Sequence, residues 1–382
     1  MIYLDNAATT CLSEGAWEAM QPYFREYYGN PSSIYRLSAA SKKAINRSRE
    51  KIAESLGAGI REIFFTSGGT ESDNWALIGV AEQYAEKGKH IITSKIEHPA
   101  ILETCAYLEK RGYEVTYLDV DKQGVVQEDT LRSAMRTDTI LVSIMFANNE
   151  IGTIQNISNL AQIAHEGGAW FHTDAVQAYG HLPIAVKEMG IDLLSASGHK
   201  INGPKGIGFL YVSEKVKLPA FVHGGMQEKG RRAGTENVPA IVGMAQAAAE
   251  AMEHMEERSA KERELTAYLK KRIEEEIPNA RFHGDDTQRL ANNVNVSFDK
   301  VQGESALIML DQRGICASSG SACTTGAREN SHVLLALGLS DKEADEALRF
   351  TVSHNNTMEE MDEVVQNLKE IVEKLTCVIR KQ

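Results

Sequence analysis

The sequence lacks the features that mark membrane, secreted and disordered proteins. No apolar run approaches the roughly 18 residues expected of a membrane-spanning helix. The opening MIYLDNAATT has neither the basic nor the apolar region of a signal peptide. Low-complexity tracts are also missing, so disorder is not the default expectation. These absences favour a globular protein of the cytoplasm that does not associate with a membrane.

Cysteine is scarce and is not spaced for a structural role. The five cysteines are Cys11, Cys105, Cys316, Cys323 and Cys377, and none of them form a C-x-x-C pair. An odd number without paired spacing argues against a disulfide framework and against a structural zinc site. We therefore expect no bound metal, and a reducing compartment such as the cytoplasm fits.

Basic residues are fewer than acidic residues in this sequence. The chain carries 41 Lys and Arg residues against 53 Asp and Glu residues, a net charge of −12. Such a balance gives no electrostatic attraction to nucleic acid or to an anionic membrane, although it leaves room for a local basic pocket. A length of 382 residues with 42% hydrophobic residues is enough for two domains with sizeable cores.

The sequence does contain a repeated alternation of short apolar runs and helical stretches. The apolar runs lie at residues 63–66, 90–93, 115–118, 140–146, 170–172, 193–195 and 208–212. They are typical of strands buried on both faces. The stretches between them, such as 71–87 and 157–166, are long enough for crossover helices. This alternation predicts an α/β fold with a large, mostly parallel sheet.

The composition changes after Pro239. Residues 241–277 are rich in Ala, Glu, Lys and Met and predict one or two long helices. Beyond them, two candidate strands alternate with three candidate helices, at residues 293–298, 304–313, 341–347, 348–352 and 358–375. We therefore predict a large α/β domain over residues 12–255 and a small α+β domain formed by residues 1–11 plus 256–382.

Reactive or anion-binding residues follow five of the predicted strands. The segments at these strand ends are 66–73, 97–99, 148–152, 172–177 and 195–206. Ligands of parallel sheets bind at this edge. Thr70 follows two glycines and opens a helix, which suits a phosphate group. Alone, Thr70 fits a capped turn without a ligand, and Asp174 fits an N-cap; the five features together indicate a site.

Two further residues suggest chemistry. Lys200 lies among Gly, Ser and Pro residues rather than on a solvated helix face, so its amine could form a Schiff base. Cys323 lies in the small-residue segment SSGSACTTG, which suggests a reactive thiol, although a tolerated surface cysteine fits equally well. Arg349 lies in an apolar strand and needs an anionic partner, either a substrate carboxylate or an internal acid.

These residues resemble those of a known family. The matching motifs, in chain order, are YLDNAATT near the start, GNPSS at 29–33, FTSGGTESDN at 65–74, EHPA at 97–100, NNEIGTIQ at 148–155, HTDAVQ at 172–177, SGHKINGPKGIG at 197–208, AGTENVP at 233–239 and SSGSAC at 318–323. They resemble the cysteine desulfurases, a group of class V aminotransferases within the fold type I enzymes that use pyridoxal phosphate (PLP). The resemblance implies a large mostly parallel sheet domain and a smaller C-terminal domain.

The resemblance implies a role for each residue of the PLP site. The matching positions are Gly69, Thr70, His98, Asp174, Gln177, Ser197, His199, Lys200 and Thr235. Lys200 matches the lysine that forms a Schiff base with PLP, and Asp174 matches the acid that pairs with the pyridine nitrogen. His98 stacks on the ring and Gln177 bonds its phenolic oxygen. Thr70, Ser197 and His199 hold the phosphate, with backbone N–H groups near Gly69, and Thr235 reaches it from the other subunit of a homodimer.

The resemblance also implies a reaction. Asn149 and Arg349 match the groups that bind the substrate carboxylate, and Cys323 matches the catalytic cysteine. L-cysteine would become L-alanine while Cys323 takes the sulfur as a persulfide, with His98 as a candidate proton acceptor. An acceptor protein would then receive the sulfur for iron–sulfur cluster assembly or for thiolation of tRNA or cofactors.

The chain departs from the family pattern at a few positions. Met226 replaces a frequent third glycine, and residues 354–356 read His-Asn-Asn where the family often has Arg-Phe-Thr. Neither departure removes a catalytic group. Selenocysteine lyase, which uses the same scaffold, and a non-catalytic scaffold that keeps PLP for folding are the two alternatives to a cysteine desulfurase.

Overall fold

The computed structural model describes residues 1–319 and 330–379. The strands in these ranges are β1 (Ile2–Tyr3), β2 (Ile63–Thr66), β3 (His90–Ser94), β4 (Glu114–Leu118), β5 (Thr139–Ser143), β6 (Trp170–Asp174), β7 (Leu193–Ser197), β8 (Gly208–Val212), β9 (Ala280–His283), β10 (Asn293–Phe298), β11 (Ile315–Cys316) and β12 (Ala347–Thr351). The helices are α1 (Glu14–Met20), α2 (Pro22–Arg25), α3 (Arg36–Ser55), α4 (Gly69–Gln83), α5 (Pro99–Glu109), α6 (Glu128–Ala134), α7 (Ile157–Glu166), α8 (Val238–Glu253), α9 (Met255–Glu276), α10 (Gly303–Asp311), α11 (His332–Ala336), α12 (Asp341–Asp345) and α13 (Met358–Ile379). Across both described ranges, every helix is too short or too polar to cross a membrane.

A seven-stranded sheet forms the centre of the larger part of the molecule. Its order is β2-β8-β7-β6-β5-β3-β4, and β8 is antiparallel to both of its neighbours while the other pairs are parallel. The predicted α/β fold with a mostly parallel sheet is confirmed. The expectation that every strand is buried on both faces is wrong for β4, which is half-exposed because it lies at the edge of the sheet.

Helices cover both faces of this sheet. Phe64 and Phe65 are neighbours in β2, and they belong to two different hydrophobic clusters because alternate side chains point to opposite faces. One cluster includes α4 through Trp75, and the other includes α7 through Leu160. Each fully buried aromatic or aliphatic side chain stabilises the fold by about 1.5–3 kcal/mol. Because both faces are covered, only the ends of the strands are open to ligands.

Helices α8 and α9 link this sheet to a second layer. They meet at His254, where the packing partners change: α8 packs on α1 and α3, whereas α9 packs on α13 and β10. The second layer contains the antiparallel sheet β12-β10-β9 and the parallel pair β1-β11. The division of the chain at residues 11 and 255 stays a prediction, and this helix junction supports it.

The N-terminal segment lies between the two layers. After β1 pairs with β11, Asp5 forms an isolated bridge with Thr351 of β12. Asn6 donates a hydrogen bond of 2.8 Å from its side chain to the Thr351 carbonyl. Residues 7 and 8 then follow, at the edge where the strands of the large sheet end.

Candidate active site

A cavity of about 260 Å³ opens where β2, β5, β6 and β7 end, between the large sheet and β12. Ten of the residues singled out in the sequence line it: Gly69, Thr70, His98, Asn149, Asp174, Gln177, Ser197, His199, Lys200 and Arg349. Thr235 is exposed and is not among the lining residues. Cys323 lies outside the described residues.

Lys200 ends a short 3₁₀ turn that follows β7 directly. Its Nζ donates hydrogen bonds to the carbonyl oxygens of Ala7, at 2.5 Å, and of Ala8, at 2.8 Å. Gln177 donates to the same Ala7 carbonyl at 2.9 Å. The N-terminal segment therefore holds the amine of Lys200 at the cavity.

The N-terminus of α4 forms one end of the cavity. The first N–H groups of a helix have no acceptor within the helix and are available to an anion. Packing is close here: a Cβ on Gly69 would lie 2.6 Å from the side chain of Val176, which follows β6, and a Cβ on Gly208 of β8 would lie 2.7 Å from the Cα of Gly68. Both glycines are needed for this approach, because any side chain would force the loop away from the sheet.

Side-chain donors surround the same end. Thr70 and Ser197 line the cavity with their hydroxyl groups, and His199 lies beside them. Burial and the nearby Lys200 lower the pKa of His199 to about 4, so its ring is neutral at pH 7. A neutral imidazole keeps one N–H donor.

The opposite end contains buried carboxyl groups. Asp174 accepts a 2.9 Å hydrogen bond from the backbone N–H of Val176, and burial raises its pKa although His98 and Lys200 oppose the shift. Asp73 on α4 is also fully buried, and burial together with Asp174 raises its pKa well above the usual range. Within the described residues, its Oδ1 has no hydrogen-bond partner; the His172 ring lies 3.7 Å away.

His98 is the N-cap of α5, and its Nδ1 accepts the backbone N–H of Ala100 at 3.1 Å. In the neutral ring, the proton therefore sits on Nε2. Burial lowers the pKa of His98, and Lys200 lowers it further against the opposing effect of Asp174. At pH 7 the ring is neutral, which suits contact with an aromatic ligand.

Glu97, which directly precedes His98, is held by hydrogen bonds, one of them from His332. Neither Glu97 nor His332 was predicted from the sequence as a site residue. The Glu97 carboxylate accepts hydrogen bonds from the Ser94 hydroxyl, at 2.6 Å, and from the Met145 N–H, at 2.9 Å, and burial raises its pKa to about 8. His332 donates from Nε2 to the Glu97 carbonyl at 2.9 Å. The only sequence signal was the EHPA motif, in which Glu97 precedes His98.

Arg349 faces the cavity from β12. Its guanidinium donates to the Asn149 carbonyl at 3.0 Å and pairs with Asp5 at 2.8 Å. The internal salt bridge considered for this residue is therefore present. Arg349 Nε is buried and has no acceptor in the described part of the chain, so a donor is left for a carboxylate.

Glu150 and Ser331 connect the two layers beside this arginine. Ser331 donates a 2.5 Å hydrogen bond to the fully buried Glu150 carboxyl and also caps α11. Burial raises the pKa of Glu150 to about 7, although Ser331 and Arg349 lower it. Residues 318 and 331 flank the segment that carries Cys323, and Ser318 is paired with the backbone of Arg349.

The four described cysteines lie outside this cavity. Cys105 is buried, which raises the pKa of its thiol to about 12 and keeps it protonated. Cys11 and Cys377 are exposed and are not packing residues. Cys316 belongs to β11.

The chain matches the model of one protein family over most of its length. The aminotransferase class-V model covers residues 2–364. The chain belongs to this family. Its members use PLP, in keeping with the cofactor expected from the motifs.

Relatives within the class-V aminotransferases have similar length. The chain is 54% identical to "Cysteine desulfurase IscS" of Methanosarcina thermophila, over 98% of this chain and 92% of that protein. It is 48% identical to the protein of the same name from Dictyoglomus turgidum, over 99% of this chain and 96% of that protein. The resemblance to cysteine desulfurases is thus confirmed over nearly the whole length.

Solved structures of similar proteins have the same fold as this chain. A NifS-like protein superposes with a TM-score of 0.92 at 37% identity, covering 97% of this chain and 99% of that one. The structure titled "SspA in complex with cysteine" has a TM-score of 0.82 at 37% identity and covers 94% of this chain and 100% of the other. The fold is that of the NifS-like PLP enzymes.

The residues of this class-V aminotransferase fit PLP. The close approach at Gly69 and Gly208 leaves a cradle for a phosphate at the start of α4. At the other end, burial disfavours the charge of Asp174, and a protonated pyridine nitrogen is the cation that would restore it. Lys200 lies between these ends.

Proposed function

We propose that this class-V aminotransferase is a PLP-dependent cysteine desulfurase that converts L-cysteine to L-alanine and collects the sulfur on Cys323. The observation that carries the proposal is the convergence of Lys200, Asp174 and Arg349 on one cavity. A lysine and an aspartate suit the cofactor, and the arginine suits the carboxylate of an amino acid.

Each residue of the cofactor site has a proposed task. Thr70, Ser197 and His199 hold the phosphate, together with the N–H groups at Gly69. Asp174 pairs with the ring nitrogen, His98 covers the ring and Gln177 contacts its phenolic oxygen. Lys200 holds the aldehyde carbon. When bound, PLP supplies an electron sink that makes the Cα proton of the amino acid acidic.

The protein's own groups then carry out the reaction. Arg349 and Asn149 orient the substrate carboxylate, so that the Cα–H bond faces Lys200. The amine of Lys200 would take the Cα proton and later return a proton to the carbon skeleton. The Cys323 thiolate attacks the substrate sulfur; the new S–S bond forms as the Cβ–S bond breaks, and the electron pair returns to the alanine carbon skeleton.

The proton of the Cys323 thiol needs a base. His98 was the candidate from the sequence, but its Nδ1 already accepts the Ala100 N–H. It would have to give up this helix-capping bond to take a proton. We therefore favour His98 as a ring contact and proton donor rather than as the base that activates Cys323.

The remaining features of the proposal concern partners and location. A homodimer would bring Thr235 of a second copy to the phosphate, which agrees with the exposure of Thr235 in the single chain. A sulfur-acceptor protein would receive the persulfide for iron–sulfur cluster assembly or thiolation. We place the enzyme in the cytoplasm, where thiols stay reduced.

The test measures alanine and sulfide formed from L-cysteine in the presence of a reductant. Cys323→Ser should retain the visible absorption band of bound PLP and lose turnover, while Cys11→Ser, an exposed control, should behave like the wild type. Mass spectrometry after brief exposure to cysteine should find one extra sulfur atom on Cys323. Normal turnover by Cys323→Ser would overturn the assignment of the catalytic cysteine.

Two comparisons address the alternatives. A higher rate on selenocysteine than on cysteine would indicate a selenocysteine lyase. An absorption band that does not change when cysteine is added would indicate a PLP-binding scaffold without activity.

A further inference from the structure

A second cavity lies in the smaller layer, outside the catalytic site. It has a volume of about 240 Å³ and lies between one face of α9 and the segment that joins β9 to β10. On α9, Arg263, Thr266 and Lys270 share one face at helical spacing. The opposite wall includes Arg289.

Positive charge predominates in this cavity. Three cationic side chains line it, Arg263, Lys270 and Arg289, and Asp286 is the one carboxylate among the described lining residues. Asp286 pairs with Lys270 at 2.7 Å, but its side chain is 70% exposed, so water screens its charge. An excess of positive charge is unexpected in a chain with a net charge of −12.

Arg289 is the least satisfied of these cations. Throughout the described residues, no carboxylate lies within 4.0 Å of its guanidinium, and its buried Nε has no acceptor. Among the described residues, its guanidinium makes two long contacts, from Nη2 to the Ile151 carbonyl at 3.2 Å and to the Asn293 side chain at 3.3 Å. The nearest acids, Asp285 and Asp286, are engaged by backbone N–H groups and by Lys270 respectively.

Arg263 is also available. It donates one 3.3 Å hydrogen bond to Ser259 and has no carboxylate partner in the described part of the chain. Guanidinium groups suit the paired oxygens of phosphate and carboxylate. The excess of two positive charges over the single carboxylate matches a dianion better than a monoanion.

We propose that this cavity binds a phosphate group, either as inorganic phosphate or as a small phosphate monoester, through Arg263, Lys270 and Arg289. Phe282, Leu290 and Val294 also line the cavity and leave apolar room for the organic part of a monoester.

Two residues of this cavity bond to the loop that forms part of the catalytic wall. Arg289 bonds the Ile151 carbonyl, and Asn293 donates from its side chain to the Glu150 carbonyl at 3.2 Å. These carbonyls belong to the loop that carries Asn149, a lining residue of the catalytic cavity. A bound phosphate would therefore lie one layer behind the loop that faces the substrate.

The test titrates inorganic phosphate into the enzyme loaded with PLP, so that the catalytic phosphate site is filled, with sodium chloride holding the ionic strength constant. Calorimetry should show saturable binding of one phosphate per chain. Glycerol 3-phosphate, titrated separately, should bind more tightly than inorganic phosphate if the natural ligand is a monoester, and less tightly if it is the free ion.

The double variant Arg263→Gln, Lys270→Gln should bind phosphate about tenfold more weakly, because one exposed and one half-buried cation are lost while Arg289, which bonds the Ile151 carbonyl, is kept for folding. Arg281→Gln is the matched control, since Arg281 lies in the same layer and pairs with Glu343 outside the cavity. No saturable binding, equal binding by the double variant, or equal displacement by chloride would overturn the proposal.

Discussion

On the first wall of the catalytic cavity, formed by the large sheet and α4, Asp73 and Asp174 are buried carboxyl groups, whereas the second wall, formed by β12, presents Arg349 paired with Asp5. Burial raises the pKa of both acids, so burial disfavours a negative charge on the first wall. The positive charge of Arg349 is balanced by Asp5, and its buried Nε still leaves a donor for a carboxylate. A protonated pyridine nitrogen beside Asp174 would favour the ionised form of that acid, whereas Arg349 already has an ionic partner in the protein.

The largest effect on activity is expected at Lys200, which lines the catalytic cavity. Lys200→Ala should abolish the visible band of bound PLP and lower kcat by about 10³-fold or more, because both the covalent attachment and the proton carrier are lost. Absorbance and single-turnover kinetics measure this. Lys205→Ala, an exposed neighbour, is the control. Retention of the band by Lys200→Ala would contradict the cofactor assignment.

Substitutions of the two buried acids, Asp174 and Asp73, should lower kcat to different extents. Asp174→Asn removes the charge that holds the pyridine nitrogen protonated, and we expect kcat to fall about 10²–10³-fold. Asp73→Asn should change kcat less than about threefold, since burial already disfavours the charge of Asp73 and asparagine has the same shape. The pH dependence of the PLP spectrum should shift in the first variant alone. Equal effects would mean that Asp73 is ionised.

The second wall predicts an effect on substrate binding. Arg349→Lys keeps the charge but loses the planar pair of donors, so KM for cysteine should rise about 10-fold while kcat changes less. Steady-state kinetics separate the two parameters. A fall in kcat with an unchanged KM would place the carboxylate elsewhere.

The smallest effect is expected at Glu150, whose substitution should change the pH dependence of stability. The Glu150 carboxyl accepts a hydrogen bond from Ser331. Its pKa is about 7 in the folded protein against an ordinary value of 4.5, so the folded state binds the proton more tightly. This stabilisation is complete below about pH 4.5 and is lost as the pH rises to about 7. Glu150→Gln should remove that loss, a change of about 3 kcal/mol in the pH dependence of unfolding free energy.

Urea unfolding of the wild type and Glu150→Gln at pH 5 and pH 8 measures this difference. The exposed substitution Glu54→Gln serves as the control. Parallel pH profiles for the wild type and Glu150→Gln would show that Glu150 is ionised in the fold.

Strands and helices of the large sheet were predictable because their apolar runs are unbroken. Helix α7 begins and ends as predicted, and β10 does too. The antiparallel placement of β8 was not predicted, because hydrophobic pattern does not encode strand direction. The short pair β1-β11 was also missed, since two-residue strands carry no periodicity.

The candidate site was predictable where residue type alone suggests chemistry, as for Lys200 and Asp174. Glu97, Glu150 and Asp73 were missed because their chemistry comes from burial, which depends on packing between distant segments. The partner of Arg349 could not be predicted either, because Asp5 is 344 residues away in the chain.

That separation has a consequence for synthesis of the protein. During synthesis, Asp5 can pair with Arg349 only after the chain has grown by 344 residues, and closing so large a loop is slow compared with forming local helices. The large sheet can assemble from residues 63–212 during translation, whereas Ala7, Ala8 and Asp5 must wait for Lys200 and then for Arg349. A nascent chain can therefore be largely folded before Arg349 joins Asp5, so the substrate-binding wall of the cavity is completed late in synthesis.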